Sequence, residues 1–351
     1  MLSRVAESLF WLGRYVERAE DIACALDVHF HVQLDVTHAA MPENGNSWEP
    51  LIQVGGDLIQ FNELYDVCHA GTVTDYLVLN QTNDSSIASC IVMARENARG
   101  MIEAISSEMW EQINNLYHFI KDTTAADIRK NPYLFYKTVK NGVQLFHGIT
   151  DATLSRNDGW EFIQAGKYLE RADNTARLID VKFALLRSTV TELMSPTDVI
   201  QWMAVLKSCS AFEAFRKIHL SRIDPDTILH FLMFDHDFPR SIYFAVEAMQ
   251  RALLNISGNS DRRFSNGVDR SVGKLEAELS YLTLDDIYKH GLHEYLNTLQ
   301  GALAGIGETI HQTYFAYHAP IIDAPEFAAP VYVVSPKVER SIWSQAQQQQ
   351  Q

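Results

Sequence analysis

Two stretches of the chain carry a glutamate–arginine pair, preceded by a glycine four residues before the glutamate. The first copy lies in residues 10–28 and the second in residues 163–181, at a constant offset of 153 residues. Eight of nineteen positions are identical at that offset: Gly13/Gly166, Tyr15/Tyr168, Glu17/Glu170, Arg18/Arg171, Ala19/Ala172, Ala23/Ala176, Asp27/Asp180 and Val28/Val181. Repetition at a fixed spacing indicates one helical unit that is used twice.

Both copies place small and apolar residues on one helical stripe and the glutamate nearly opposite that stripe. One interpretation is a solvated face, on which Arg14 and Lys167 pair with the glutamate three residues ahead on the same helix. The other is a buried or ligand-facing polar seam between the two helices. Buried charges persist only when they are paired and hydrogen-bonded, which the four groups of the repeated pairs can achieve together. Those groups are Glu17, Arg18, Glu170 and Arg171.

The repeated glycine needs a physical reason, because a glycine inside a helix costs about 1 kcal/mol relative to alanine. Gly13 and Gly166 each lie one turn before the glutamate and on the same face of the helix. The pattern predicts that another helix, or a ligand, approaches the backbone closely at both positions.

A second group of charged side chains, Arg95, Glu96 and Arg99, lies on a long predicted helix. Arg95 and Arg99 share a face at a spacing of four residues, where like charges repel each other. A carboxylate opposite them, from Glu17 or Glu170, would offset that repulsion. Exposure of the group to solvent is the alternative interpretation.

A third candidate is an anion-binding sequence around Arg240. Pro239 is predicted to begin a helix that Asp237 caps, which puts Arg240 in the first turn. The helix dipole disfavours a cation there, so Arg240 needs an anion nearby. That anion is either Asp235 or Asp237, which gives a salt-bridged cap, or a bound phosphate or carboxylate.

The chain shows no local signature of nucleophilic catalysis or of nucleotide binding. It has no G-x-S-x-G, Walker A or G-x-G-x-x-G motif. A carboxylate-bridged metal pair in a helical bundle needs two Glu-x-x-His motifs. The chain has one, Glu308–His311. We therefore predict no metal site and no cofactor.

The composition limits the possible partners and the compartment. A net charge of −15 argues against a general nucleic-acid-binding or anionic membrane surface. No run approaches 18 apolar residues, which predicts no membrane span. The four cysteines, Cys24, Cys68, Cys90 and Cys209, form no C-x-x-C pair and are predicted to be buried free thiols. These features predict a soluble, cytoplasmic protein.

No stretch alternates apolar and polar residues as a strand does, so the predicted fold class is all-α. We predict a multi-helix bundle over residues 1–320, built on two related helical halves in which the helices near 4–37 and 160–186 are equivalent. Further helices are predicted over residues 57–69, 85–106 and 284–318, and another is predicted to begin at Pro225 with Asp224 as its cap. Prolines then space out an apolar stretch without periodicity, which predicts an extended Pro-rich tail over residues 321–351. The glutamines at 347–351 are predicted to be disordered.

Four stretches of the chain resemble the Alpha-E domain family, an all-helical bacterial family named for its Glu-Arg motif. They are LSRVAESLFWLGRYVERAED (2–21), ARENARGMIEAISSEMWEQIN (94–114), GITDATLSRNDGWEFIQAGKYLERADNTARLID (148–180) and FLMFDHDFPRSIYF (231–244). The stretches occur in the family's order, and the resemblance extends over roughly residues 1–320. It departs from the family's pattern at residues 100–102, which are more often basic and polar there.

The resemblance implies partners and carries over no catalytic residues. Such proteins look like companions of circularly permuted ATP-grasp ligases and transglutaminase-like peptidases, in systems that make or modify peptides. In an accessory role Arg18, Arg171 and Arg240 would bind the carboxylate or phosphate of a peptide substrate or ligase. Two alternatives stay open. One is an enzyme that uses Glu17 or Glu170 as acid or base in a desolvated seam, and the other is a purely structural adaptor or oligomer subunit.

Overall fold

The computed structural model describes residues 1–38, 48–186, 196–219, 223–259 and 264–316. Within these ranges the chain forms helices and no β-strand, which confirms the predicted all-α fold class. The division of the bundle into two related halves and its limits at residues 1–320 stay predictions. The predicted tail over 321–351, including the glutamines at 347–351, lies outside the described residues.

The α-helices follow one another along the described chain with short connections. In chain order they are α1 (Ser3–His38), α2 (Glu49–Gly55), α3 (Leu58–Leu64), α4 (Ala70–Thr74), α5 (Ile87–Arg99), α6 (Ser107–Asp122), α7 (Ala125–Lys130), α8 (Pro132–Thr153), α9 (Asp158–Leu186), α10 (Pro196–Ser208), α11 (Phe212–Ile218), α12 (Pro225–Phe234), α13 (Ile242–Ser257), α14 (Gly267–Tyr281), α15 (Leu284–His290) and α16 (Leu292–Ile310). One π-helical turn extends α4 to Leu79, and another extends α16 to Phe315.

Side-chain caps explain where several of these helices begin. The Ser86 hydroxyl accepts the backbone N–H of Ser89 at the start of α5. The Asp224 carboxylate accepts that of Thr227 at the start of α12, and Pro225 takes the first helical position. A proline is tolerated there because its missing N–H would have had no partner within the helix. The cap predicted for α12 is therefore confirmed.

Helices α1 and α9 form the centre of the fold, and α5, α8, α10, α13 and α16 pack around this pair. Gly13 of α1 lies against Ile163 of α9, and Gly166 of α9 lies against Phe10 of α1. A Cβ atom at either glycine would come closer than 3.0 Å to a backbone carbonyl oxygen of the other helix. The repeated glycines therefore let the two backbones approach, and the element that approaches is a helix.

Two long predicted helices are interrupted. The helix predicted over residues 85–106 ends at Arg99, and a short 3₁₀ turn follows it. The helix predicted over residues 284–318 breaks at Gly291, whose φ of 98° favours glycine. An apolar pattern can continue across such a turn, which is why periodicity alone placed these ends wrongly.

Three of the four cysteines, Cys24, Cys90 and Cys209, are buried free thiols as predicted. Cys68 is exposed, because the helix predicted over residues 57–69 ends at Leu64 and leaves this thiol in the connection to α4. The prediction of burial is wrong for Cys68.

Candidate functional site

The glutamate–arginine pairs of α1 and α9 bond to each other across the contact between the two helices. The Arg18 guanidinium donates to Glu170 through Nε to Oε1 and through a terminal nitrogen to Oε2, the latter at 3.0 Å. Arg171 donates to Glu17 in the same way, at 2.7 and 2.9 Å. The charges of each motif therefore neutralise those of the other motif. This is the arrangement that the interpretation as a buried polar seam between the two helices describes.

Arg14 and Lys167 occupy equivalent positions in the two copies but make different contacts. Arg14 Nε donates to Glu170 of the opposite helix at 2.8 Å, so the same-helix pairing of the solvated-face interpretation is wrong for Arg14. The Lys167 ammonium lies over the Tyr168 ring at 4.6 Å and makes no ion pair with a described carboxylate. Burial, together with the nearby Arg171, lowers the pKa of Lys167 to about 8.

Arg240 brings a further guanidinium to α1 from the loop that precedes α13. It donates to Asp21 at 2.7 Å and to Glu20 at 2.8 Å, and it lies 3.1 Å from Glu17. We refer to these interlocked charges as the ion-pair seam. Its defining members are Arg14, Glu17, Arg18, Glu170, Arg171 and Arg240.

The predicted partners of Arg240, Asp235 and Asp237, are wrong. Helix α13 begins after Ser241, whose hydroxyl caps it, so Arg240 precedes the helix and does not lie in its first turn. Asp235 instead accepts the backbone N–H groups of Asp237 and Phe238. Asp235 shapes the loop, and the carboxylates that balance Arg240 come from α1.

Both motif glutamates are buried and ionised. Glu17 is 0% exposed and Glu170 is 5% exposed. Burial alone would raise their pKa values, but Arg171 and Arg240 hold the pKa of Glu17 well below its ordinary range. Two arginines of α1 outweigh burial in the same way and lower the pKa of Glu170 to about 2. Neither carboxylate exchanges a proton near neutral pH, so neither suits the acid or base of the enzyme hypothesis.

Helix α8 contributes polar partners that no sequence motif indicates. Three of its side chains, at spacings of four and three residues, each bond to an acidic side chain of α1. The pairs are Lys140–Asp27 at 2.6 Å, Gln144–Glu20 at 2.9 Å and His147–Glu17 at 3.0 Å. Burial lowers the pKa of His147, and an ionised Glu17 can only accept, so the neutral imidazole donates from Nε2. The helical spacing of these residues was visible in the sequence, but their partners were not.

One group of described residues has the chemistry of metal ligands. Glu17, Glu20 and His147 offer ligand atoms that lie within 4.8 Å of one another. The same carboxylates already bind Arg171 and Arg240, which supply the positive charge that a metal ion would bring. A metal ion would have to displace a guanidinium, so this donor set does not fit a resident metal.

Arg95, Glu96 and Arg99 contact none of the side chains of the ion-pair seam. Arg95 and Arg99 both pair with Glu96, at 3.0 and 2.5 Å. The expectation that Glu17 or Glu170 lies opposite them is wrong, because Glu96 itself offsets the repulsion between the two arginines.

An open cleft borders the seam along α1 and α9. It consists of a polar cavity of about 400 Å³ and an apolar cavity of about 290 Å³. Arg14, Asp173 and Arg177 line both cavities, so the two adjoin at these residues. The polar cavity extends to Asp21, and the apolar cavity extends to Trp11. We call the two cavities together the cleft.

Comparison with known protein families identifies the domain to which these paired glutamate–arginine motifs belong. Residues 1–315 match the family Alpha-E, described as a predicted alpha-helical domain with a conserved ER motif. The chain belongs to the Alpha-E family. In this Alpha-E chain both copies of the Glu-Arg dipeptide act between helices, since each glutamate is bound by the arginine of the other copy.

The Alpha-E chain is similar to uncharacterized proteins of Mycobacterium bovis and of the CDC 1551 and H37Rv strains of Mycobacterium tuberculosis. Each is 22% identical over 348 residues, an alignment that covers 93% of this chain and 37% of the relative. The chain thus spans little more than a third of the length of these curated relatives. No solved structure matches it significantly. None of the described helices combines the length and apolar character needed to cross a membrane.

Proposed function

We propose that this Alpha-E protein is a helical accessory protein of a peptide-forming or peptide-modifying system. It works with an ATP-grasp ligase, a transglutaminase-like peptidase or both, and it binds the peptide on which the partner acts. The observation that carries this proposal is the saturation of the ion-pair seam, in which both motif glutamates are fully engaged by arginines. A seam of this kind positions helices, and it supports a role in which a partner protein performs the chemistry.

The enzyme alternative has less support. A general acid or base works best when its pKa lies near the operating pH. The arginines around Glu17 and Glu170 lower both pKa values, so both carboxylates stay ionised at neutral pH and have no proton to exchange. The purely structural alternative does not explain the open cleft beside the seam, whose two cavities measure about 400 and 290 Å³.

The proposed division of labour follows from the sequence and from the relatives. The chain has no nucleotide-binding motif, so activation of a carboxylate as an acyl phosphate would belong to the ATP-grasp partner. In the mycobacterial relatives the matching region occupies 37% of a longer chain, so there the domain is joined to further protein. That linkage supports a role beside other domains. The cytoplasmic location and the lack of a nucleic-acid partner stay predictions.

Affinity capture from the native host tests the proposal, with the tag alone as control. We expect mass spectrometry of the captured material to identify an ATP-grasp ligase or a transglutaminase-like peptidase. Release of ADP by the purified ligase in the presence of a peptide acceptor should then increase when the Alpha-E protein is added. Conversion of a peptide by the Alpha-E protein alone, without any captured partner, would contradict the accessory role.

A further inference from the structure

Arg14 and Arg177 line both cavities of the cleft, and they leave more N–H donors free than Arg18, Arg171 and Arg240 do. Arg14 uses only Nε on Glu170, and Arg177 uses only Nε on Asp173, at 2.8 and 2.7 Å. The terminal nitrogens of both guanidiniums make no hydrogen bond to any described residue. In each case the Nε bond holds the guanidinium in place, and the terminal N–H groups remain for a ligand.

The surroundings of these two arginines favour one kind of anion. The Arg14 guanidinium lies over the Trp11 ring at 4.9 Å, and both residues line the apolar cavity. Leu169, Leu303 and Phe315 line the same cavity. A carboxylate held at the junction of the cavities would therefore place an adjacent apolar side chain against aliphatic and aromatic carbon. A leucine-like C-terminal residue has this combination of groups.

At the other end of the polar cavity, Asp21 offers an unused acceptor. This residue is 2% exposed, and its Oδ1 accepts from Arg240 at 2.7 Å. Its Oδ2 has no hydrogen-bond partner among the described residues, although Asp21 lines the cavity. Burial raises the pKa of Asp21 well above its ordinary range despite Arg240, and the neighbouring Glu17 and Glu20 add to this effect. A cationic donor from a ligand would satisfy the oxygen and stabilise its charged form.

The charge of the polar cavity argues for a ligand with both signs. Three arginines line it, Arg14, Arg18 and Arg177, against four carboxylates besides Asp21, namely Asp57, Asp84, Glu170 and Asp173. The balance is negative, so a dianion such as free phosphate is disfavoured. A zwitterion can place its carboxylate on the free guanidinium donors and its ammonium near the excess of carboxylates.

The spacing of the two ends sets the length of the ligand. Arg14 and Asp21 lie seven residues apart on α1, so they share a face and their Cα atoms are separated by roughly 10.5 Å along the axis. An extended peptide advances roughly 3.3–3.6 Å per residue. About three residues therefore bridge the two positions, and a single amino acid does not.

We propose that the cleft binds a short peptide of about three residues as a zwitterion. Its C-terminal carboxylate lies on Arg14 and Arg177, its last side chain enters the apolar cavity, and its terminal ammonium approaches Asp21. This proposal rests on the proposed function for its biological setting, and it names the substrate class of that function. The binding itself can be measured with the purified protein and no partner.

Isothermal titration with the tripeptide Ala-Ala-Leu tests the proposal directly. We expect the free peptide to bind, and we expect the C-terminal amide and the N-acetylated peptide each to bind about tenfold more weakly or worse. Arg14→Gln and Arg177→Gln should each weaken binding about tenfold or more, because each removes a charge-assisted pair of hydrogen bonds. Arg251→Gln is the matched control, since Arg251 forms an i,i+4 pair with Glu247 as Arg177 does with Asp173, but Arg251 does not line the cleft.

Circular dichroism establishes whether the variants are folded. Arg14→Gln should fold, because Arg18 also binds Glu170 and keeps that carboxylate paired. Equal binding of the amide, or unchanged binding by both variants, would overturn the proposal. So would displacement of the tripeptide by inorganic phosphate at a similar concentration, equally tight binding of leucine alone, or no binding of Ala-Ala-Leu at millimolar concentration. If the tripeptide binds as expected but no ligase or peptidase is captured, the proposed function fails and the cleft assignment stands.

Discussion

Glu170→Gln removes the carboxylate that Arg14 and Arg18 share at the contact between α1 and α9. The arginines lower the pKa of Glu170 to about 2 from an ordinary value of 4.5. At about 1.4 kcal/mol per pKa unit, that difference corresponds to about 3 kcal/mol of stabilisation by the ionised carboxylate. Breaking a buried ion pair on one side costs about 3–5 kcal/mol, so the two values agree.

The pH dependence of this effect has a definite sign. The folded protein holds the Glu170 carboxylate more acidic than the unfolded chain does, so its stabilisation is fully present above pH 4.5. It is lost as the pH falls through the folded pKa of about 2. The difference in unfolding free energy between wild type and Glu170→Gln should therefore be about 3 kcal/mol at pH 7 and shrink below pH 4.5.

Urea unfolding followed by circular dichroism at several pH values measures this difference. Glu247→Gln is the control, since Glu247 forms an exposed pair with Arg251 and should change the unfolding free energy by about 0.5 kcal/mol or less. The reasoning is refuted if Glu170→Gln costs no more than Glu247→Gln at pH 7. It is also refuted if the cost stays constant on acidification.

Three further predictions concern the same helices. In urea denaturation, Gly13→Ala and Gly166→Ala should each lower the unfolding free energy by about 1–3 kcal/mol, because the new methyl group meets the backbone of the opposite helix. Gly301→Ala is the control, because its methyl group meets nothing within 4 Å; it should raise the unfolding free energy by up to about 1 kcal/mol. Lys167→Met should raise the unfolding free energy at pH 7 by about 1–3 kcal/mol, since wild type holds a buried ammonium whose pKa is about 8. Wild type should recover that deficit as the pH rises from 8 to 10.5, and a gain that does not shrink over this range would contradict the assignment. Nitrogen-15 NMR should show His147 neutral at pH 6.5 with its proton on Nε2, and a protonated ring at that pH would contradict the described hydrogen bond to Glu17.

The repeat in the sequence predicted a close approach to both glycines, by a helix or a ligand, because both of its signals were local. Gly13 and Gly166 are costly in a helix unless something approaches them, and the glutamates recur at a fixed distance after them. The charges of one copy could then be expected to neutralise those of the other. No local pattern distinguishes Arg14, which crosses to the opposite helix, from Lys167, which lies on an aromatic ring.

The rest of the seam could not be predicted because its partners are distant in the chain. Arg240 reaches α1 from a loop, and its assignment to a first helical turn depended on Pro239, which is tolerated both in that turn and just before a helix. His147 belongs to an ordinary polar stripe on α8 until the packing shows that Glu17 faces it. Such pairings are settled by tertiary packing, which periodicity does not encode.

The position of Arg240 in the chain has a consequence for protein synthesis. Arg240 lies 219 residues after Asp21 and 220 residues after Glu20. A ribosome adds about 5–20 residues each second, so these carboxylates leave the exit tunnel roughly 10–40 seconds before their guanidinium partner. Until then they must stay hydrated, and the apolar stripe of α1 has no completed core to enter. A nascent or truncated chain that stops before Arg240 would therefore be a substrate for chaperones and proteases, and the domain matures as one unit late in translation.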